Sequence, residues 1–276
     1  MIQKTYLLKD LSEEFKDSDA SLVFYELEYA ADWGDRRYPR PGLVILPGGA
    51  YKYCSDREAE PIALRMLTEG FNCFVLRYTC SKKYPTPQKE VVFLLNYIRE
   101  HYQEFSLLDI NLSIVGFSAG AHLTASIGAY YKEIAESLNI KPERVKPLAL
   151  ILGYPVITSN PKYWNELSIR TISNDEPELM EKMSLEKHVT SDYPPTYIFS
   201  TKDDTCVPVQ NSELMIEALK KNNIPYKADL FETGYHGGSL FSRGVYYEYD
   251  SKHKAAEPNS IWVKEATKFV FDIVYK

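Results

Sequence analysis

Three short segments place the residue types needed for acyl transfer in an order that suits it. The first is Val115-Gly116-Phe117-Ser118-Ala119-Gly120, a G-x-S-x-G that follows an apolar run and precedes a helix-forming one. A serine lifted on so sharp a strand-to-helix turn needs small neighbours, and Gly116 and Gly120 supply them. The helix beginning there directs its N-terminus at the hydroxyl, where it favours developing negative charge. A serine hydroxyl is a weak nucleophile alone, so a histidine must lie within reach and a third group must fix that histidine's tautomer. Downstream, Ser200-Thr201-Lys202-Asp203-Asp204-Thr205-Cys206-Val207-Pro208 contains an acidic turn, and Thr233-Gly234-Tyr235-His236-Gly237-Gly238 is a glycine-rich loop with a histidine. Serine, acid and histidine come in the chain order this type of elbow requires. His122 shares the serine's helix face, but one turn inside that helix it is expected to be packed rather than reactive.

The elements that must position these segments alternate along the chain. Residues 21–29 read as a half-exposed strand, 42–46 as a strand covered on both faces, and 71–78, 111–116, 146–152, 196–200 and 226–231 as further strands. Helices are expected at 56–69 (capped by Ser55 or Asp56 and ended by Gly70), 87–102, 118–138, 209–222 and 259–275. Such alternation implies a mostly parallel sheet with helices on both faces, and both the acidic turn and the histidine loop leave strands at their C-terminal ends, where open parallel sheets place their sites. Only residues 158–193 break the alternation. They are read as a small cap inserted into one domain spanning 1–276.

Pro47-Gly48-Gly49-Ala50-Tyr51, Ser55-Asp56-Arg57-Glu58, Gly116-Phe117-Ser118-Ala119-Gly120-Ala121-His122-Leu123, D-x-x-V-P at Asp204–Pro208 and His236-Gly237 together resemble the acetyl-esterase and xylan-esterase-like α/β hydrolases. That group is related to hormone-sensitive-lipase-like and prolyl-oligopeptidase-like enzymes. The resemblance runs from about Gly42 to the end of the chain. It implies the α/β-hydrolase fold, and it selects Asp204 of D-x-x-V-P over Asp203 as the partner of His236. The oxyanion donors are expected from the backbone of Ala119, the residue after the nucleophile, and from the loop after the 42–46 strand, at Gly49 and Ala50. Relatives often carry H-G-G-G where this chain has P-G-G-A. Tyr51, Tyr78, Tyr154 and Trp164 are candidates to line the substrate pocket, but any one of them is more often a core residue. Arg57 and Glu58 are either a solvated first helical turn or supports of the site.

Composition narrows the partners. The 276 residues carry a net charge of −6, and no Lys/Arg-rich run offers a surface for nucleic acid or an anionic membrane. No stretch approaches the roughly 20 apolar residues of a membrane span. The polar, charge-interrupted start is unlike a secretory leader, and the four cysteines lack C-x-x-C or metal-ligand spacing, so a cytoplasmic protein with free thiols is expected. Neither a metal nor an organic cofactor is called for. The resemblance implies a serine esterase for small acyl groups, acetyl above all, on sugars or related alcohols. A general short-chain esterase, an arylformamidase-like amide hydrolase and a non-catalytic binding protein on the same fold remain as alternatives. A mere binding protein has no need of the Ser118, Asp204 and His236 set.

Overall fold

The apolar run at 42–46 becomes β3, with Leu43 and Ile45 on one side of a sheet and Val44 and Leu46 on the other, all fully buried. Two separate apolar clusters result, one on each face, which is why the run is continuous rather than alternating. The structure is a computed structural model describing residues 1–28, 38–246 and 248–276. Along the chain lie β1 (Ile2–Leu7), α1 (Leu8–Leu11), β2 (Ser21–Glu26), β3 (Arg40–Leu46), α2 (Glu60–Glu69), β4 (Asn72–Arg77), α3 (Thr86–Glu100), β5 (Leu107–Phe117) and α4 (Ala119–Ser137). They are followed by β6 (Leu150–Gly153), α5 (Glu166–Ser173), α6 (Pro177–Lys182), β7 (Thr196–Thr201), α7 (Gln210–Lys221), β8 (Tyr226–Phe231), α8 (Ser251–Ala256) and α9 (Trp262–Val274).

The eight strands form one sheet in the order β1-β2-β4-β3-β5-β6-β7-β8, with β1 and β2 antiparallel to their neighbours and the rest parallel. Helices α3, α4 and α7 cover one face; α2 and α9 cover the other. Helix α4 follows the turn after β5 and is buried along almost its whole length, so that turn is held at the C-terminal end of a middle strand of the sheet.

Element boundaries differ from expectation for local reasons. Strand β1 carries mostly exposed side chains, with only Ile2 and Tyr6 half-buried, so its sequence gives little apolar signal. Strand β2 ends at Glu26, and Tyr29, expected in it, lies outside the described residues. The helix expected from 56 starts at Glu60: residues 56–58 form a 3-10 turn and Ala59 is the N-cap, without the expected side-chain cap from Ser55 or Asp56. Gly70 does end it, at φ +106°. Strand β6 is only four residues long, and Pro147, which lacks an N–H, stands in the stretch before it. Residues 257–261 are likewise a 3-10 turn containing Pro258, so α9 begins at Trp262. The interval 158–193 contains α5, α6 and a short 3-10 turn between β6 and β7.

Candidate active site

At the end of β5 the backbone turns abruptly at Ser118, which has φ +53° and ψ −119°. Such a conformation costs a non-glycine residue about 1–3 kcal/mol and persists only where the surroundings enforce it. The enforcement is visible. A Cβ on Gly116 would lie 2.3 Å from the Gly120 carbonyl oxygen, and one on Gly120 would lie 2.1 Å from that of Leu46. The Ser118 N–H donates to the Gly153 carbonyl at 2.9 Å, tying the turn to β6.

The Ser118 hydroxyl faces His236 Nε2 at 2.7 Å, and His236 Nδ1 faces Asp204 Oδ2 at 2.8 Å. A carboxylate can only accept here, so Nδ1 carries the proton and Nε2 is free to receive the serine's. Asp204 is aimed in turn: its other oxygen accepts the N–H groups of Cys206 at 2.8 Å and Val207 at 3.0 Å, a turn closed by Asp204 itself. Its neighbour Asp203 points elsewhere and accepts from the Gly234 N–H at 2.7 Å, which steadies the loop leading to His236. The geometry thus brings Ser118, Asp204 and His236 together and separates Asp203 from them.

The loop after β3 approaches the serine closely. Gly49 has φ +126°, and a Cβ there would lie 2.1 Å from the Tyr53 carbonyl oxygen, so the position requires glycine. Ala50 adopts a positive φ of +53°, which costs alanine more than it would glycine. Both residues line the cleft, and neither N–H has a hydrogen-bond acceptor among the described residues. Ala119 is wholly buried and its N–H heads α4, one of the helix-start donors that lack an intrahelical acceptor. The cleft beside Ser118 and His236 has a volume of about 180 Å³.

His122 lies beneath this arrangement, fully buried. Its Nε2 donates to the Met183 carbonyl at 3.0 Å, which leaves Nδ1 to accept the Tyr51 hydroxyl at 2.8 Å. Both ring nitrogens are engaged away from the serine. Burial pulls this histidine down from 6.5 to about 4. It therefore stays neutral in the folded protein across the range where the unfolded chain takes up a proton, so stability falls as pH drops from about 6.5 to about 4. The group's share is about 3 kcal/mol, at roughly 1.4 kcal/mol per pKa unit. His122→Gln should be less stable near neutrality yet lose less on acidification, as denaturant unfolding at about pH 7 and about pH 4.5 will show. An unchanged pH dependence in the variant would remove His122 from this role.

A family profile described as BD-FAE matches residues 34–219, well over half of the chain. The chain belongs to the BD-FAE family. This BD-FAE chain is 32% identical over 209 residues to an endo-1,4-beta-xylanase B of Butyrivibrio fibrisolvens, covering 72% of this chain and 32% of that protein. It is 26% identical over 217 residues to an acetylxylan esterase of Xylanibacter ruminicola, covering 75% and 42% respectively. It thus spans less than half the length of these curated relatives. Among solved structures, it is similar to an acetyl ester-xyloside bifunctional hydrolase of Caldicellulosiruptor lactoaceticus, with a TM-score of 0.77, 30% identity and coverage of 92% of this chain and 88% of that one. A sugar hydrolase of Lactococcus lactis gives a TM-score of 0.79 at 28% identity over 99% of both chains. The fold is that of the α/β hydrolases, as the resemblance implied.

One expectation for this BD-FAE site needs correction. Tyr51, Tyr78 and Tyr154 do not line the cleft; each is at most 2% exposed. Their hydroxyls, which need partners once buried, bond within the scaffold: Tyr51 to His122, Tyr78 to the Pro47 carbonyl at 2.9 Å and Tyr154 to Glu58 at 2.7 Å. Trp164 is half-buried against the main core, under the guanidinium of Arg170. The cleft wall is instead built by Tyr53, Ser55 and Arg57 on one side and by Asn165, Leu167 and Ser168 of the 158–193 interval on another. Sequence reasoning missed Asn165, although its residue type ahead of a helical run is a cap signal: its side chain accepts from the Ser168 N–H and so fixes the start of α5 beside the serine. Among the described residues no cluster of three or more His, Cys, Asp or Glu could hold a metal, and no helix is long and apolar enough to cross a membrane.

Proposed function

We propose that this chain is a serine carboxylesterase that removes small acyl groups, acetyl in particular, from sugars or related alcohols. The observation that carries this reading is the hydrogen-bonded relay from Ser118 through His236 to Asp204, opening on a cleft lined by Gly49 and Ala50. Ser118 attacks the ester carbonyl as His236 takes its proton, and the Ala119, Gly49 and Ala50 N–H groups receive the oxyanion, each donor of this kind being worth about 2.7–4 kcal/mol of barrier. His236 then protonates the departing alcohol. Water enters, gives its proton to the same imidazole, and releases the acid from the acyl-enzyme. No cofactor takes part. Residues 158–193 act as a small cap on one domain of 1–276, and the four free cysteines suit the reducing cytoplasm.

The acetyl preference draws support from the size of the cleft and from the names of the two relatives that act on acetyl esters. The exposed ring of Tyr53 and the guanidinium donors of Arg57 suit a hydroxyl-rich alcohol at the rim. Acetyl, butyryl and octanoyl esters of one alcohol provide the test. kcat/KM should fall with each lengthening, and a higher value for octanoyl than for acetyl would reject the small-acyl reading.

A further inference from the structure

We infer that Glu58 is a positioning residue, whose carboxyl group locks the oxyanion loop and the histidine loop to one another through Tyr154. The inference rests on the reading of Ser118 as nucleophile. Glu58 is 3% exposed, and its two oxygens are used separately. Oε2 accepts the Gly48 N–H at 2.8 Å, and Oε1 accepts the Tyr154 hydroxyl at 2.7 Å. No ion pair to Glu58 exists among the described residues, so a costly buried carboxyl group is kept for these two bonds.

What the two bonds grip is the two halves of the site. Gly48 immediately precedes Gly49 and Ala50, and it is pressed against the nucleophile: a Cβ there would lie 2.9 Å from that of Ser118 and 2.7 Å from the Phe117 carbonyl oxygen. Tyr154 carries the second half. Its hydroxyl also accepts the Ser239 N–H at 3.0 Å, three residues beyond His236, and its ring stands edge-on to the imidazole with centroids 5.1 Å apart. The Ser239 hydroxyl bonds back to the Arg57 carbonyl, so the 57–58 turn is tied twice to the histidine loop and once to the oxyanion loop. One side chain thereby sets the distance between base and oxyanion donors, a geometry that matters only once the tetrahedral oxyanion forms.

An amide can keep the Gly48 bond only by turning its NH2 onto the Tyr154 hydroxyl. That hydroxyl must then accept from it as well as from the Ser239 N–H and loses its own acceptor, so the link between the two loops is re-set. Glu58→Gln should therefore lower kcat about 10²-fold with KM changed less than about threefold, the size expected when donors move by about 1 Å. Tyr154→Phe removes only one arm and should lower kcat by about tenfold, again with little change in KM. Phenylboronic acid, which forms a tetrahedral adduct on an active serine, supplies a readout that a stabilising role would not move. Its Ki should rise in each variant by the same factor as kcat/KM falls. Glu58→Gln that melts earlier but keeps kcat and the boronate Ki within about threefold would overturn the proposal, as would a kcat loss with the boronate Ki unchanged. If Glu58→Gln does not fold, Tyr154→Phe decides alone, and an unchanged kcat there refutes the coupling. Failure of the serine reading itself looks different: the parent protein would then be insensitive to the boronate.

Discussion

Ser118→Ala should lower ester hydrolysis about a million-fold, the scale of a lost nucleophile in a triad that works as a unit. The substitution removes one heavy atom from a residue 8% exposed, and alanine has the same Cβ as serine, so it meets the same backbone strain in the turn. The variant should therefore fold, with a melting temperature near that of the parent. Hydrolysis of p-nitrophenyl acetate by folded, repurified variant is the measurement. More than a few per cent of the parent rate would show that another group attacks the ester.

The second large effect separates true partners from neighbours of the same type. His236→Ala should cost nearly as much as loss of Ser118, and Asp204→Ala about 10⁴-fold, because the base without its orienter adopts the wrong tautomer. The decoys are held elsewhere. Asp203 supports the Gly234 N–H, a single hydrogen bond worth about 1 kcal/mol, so Asp203→Ala should reduce kcat by less than about tenfold. His122, with both nitrogens bound to Tyr51 and Met183, should act chiefly through stability. A dead His122 variant beside an active His236 variant, or a greater loss at Asp203 than at Asp204, would require a different relay.

How far these positions could be read from the chain depended on what each had to satisfy. Ser118 announced itself because a sharp elbow demands glycines at fixed offsets, and the close approaches at Gly116 and Gly120 show the demand to be steric. The parallel core was equally legible, since β3, β4 and residues 112–117 of β5 are covered on both faces and read as apolar runs, while the exposed first half of β5 was not read. Strand β1 was not legible, because its side chains are mostly exposed and its pairing with β2 is a long-range event. Tyrosine misled for a related reason. An apolar ring with a hydroxyl suits a pocket and a buried hydrogen bond alike, and only the fold reveals that Tyr51, Tyr78 and Tyr154 had partners inside. The cleft wall was hidden because Tyr53 and Arg57 lie on the loop after β3 while Asn165 stands far along the chain at the start of α5, and their meeting depends on the whole sheet.

The most direct test of the central claim is covalent labelling with an alkyl fluorophosphonate, which phosphonylates an activated serine and mimics the tetrahedral intermediate. The geometry of Ser118 and His236, 2.7 Å apart, predicts one label per chain, mapped by peptide mass to the segment containing Ser118, with activity lost in step with labelling. Ser118→Ala should take up none. A label on any other residue, or full labelling of Ser118 with esterase activity intact, would contradict the account.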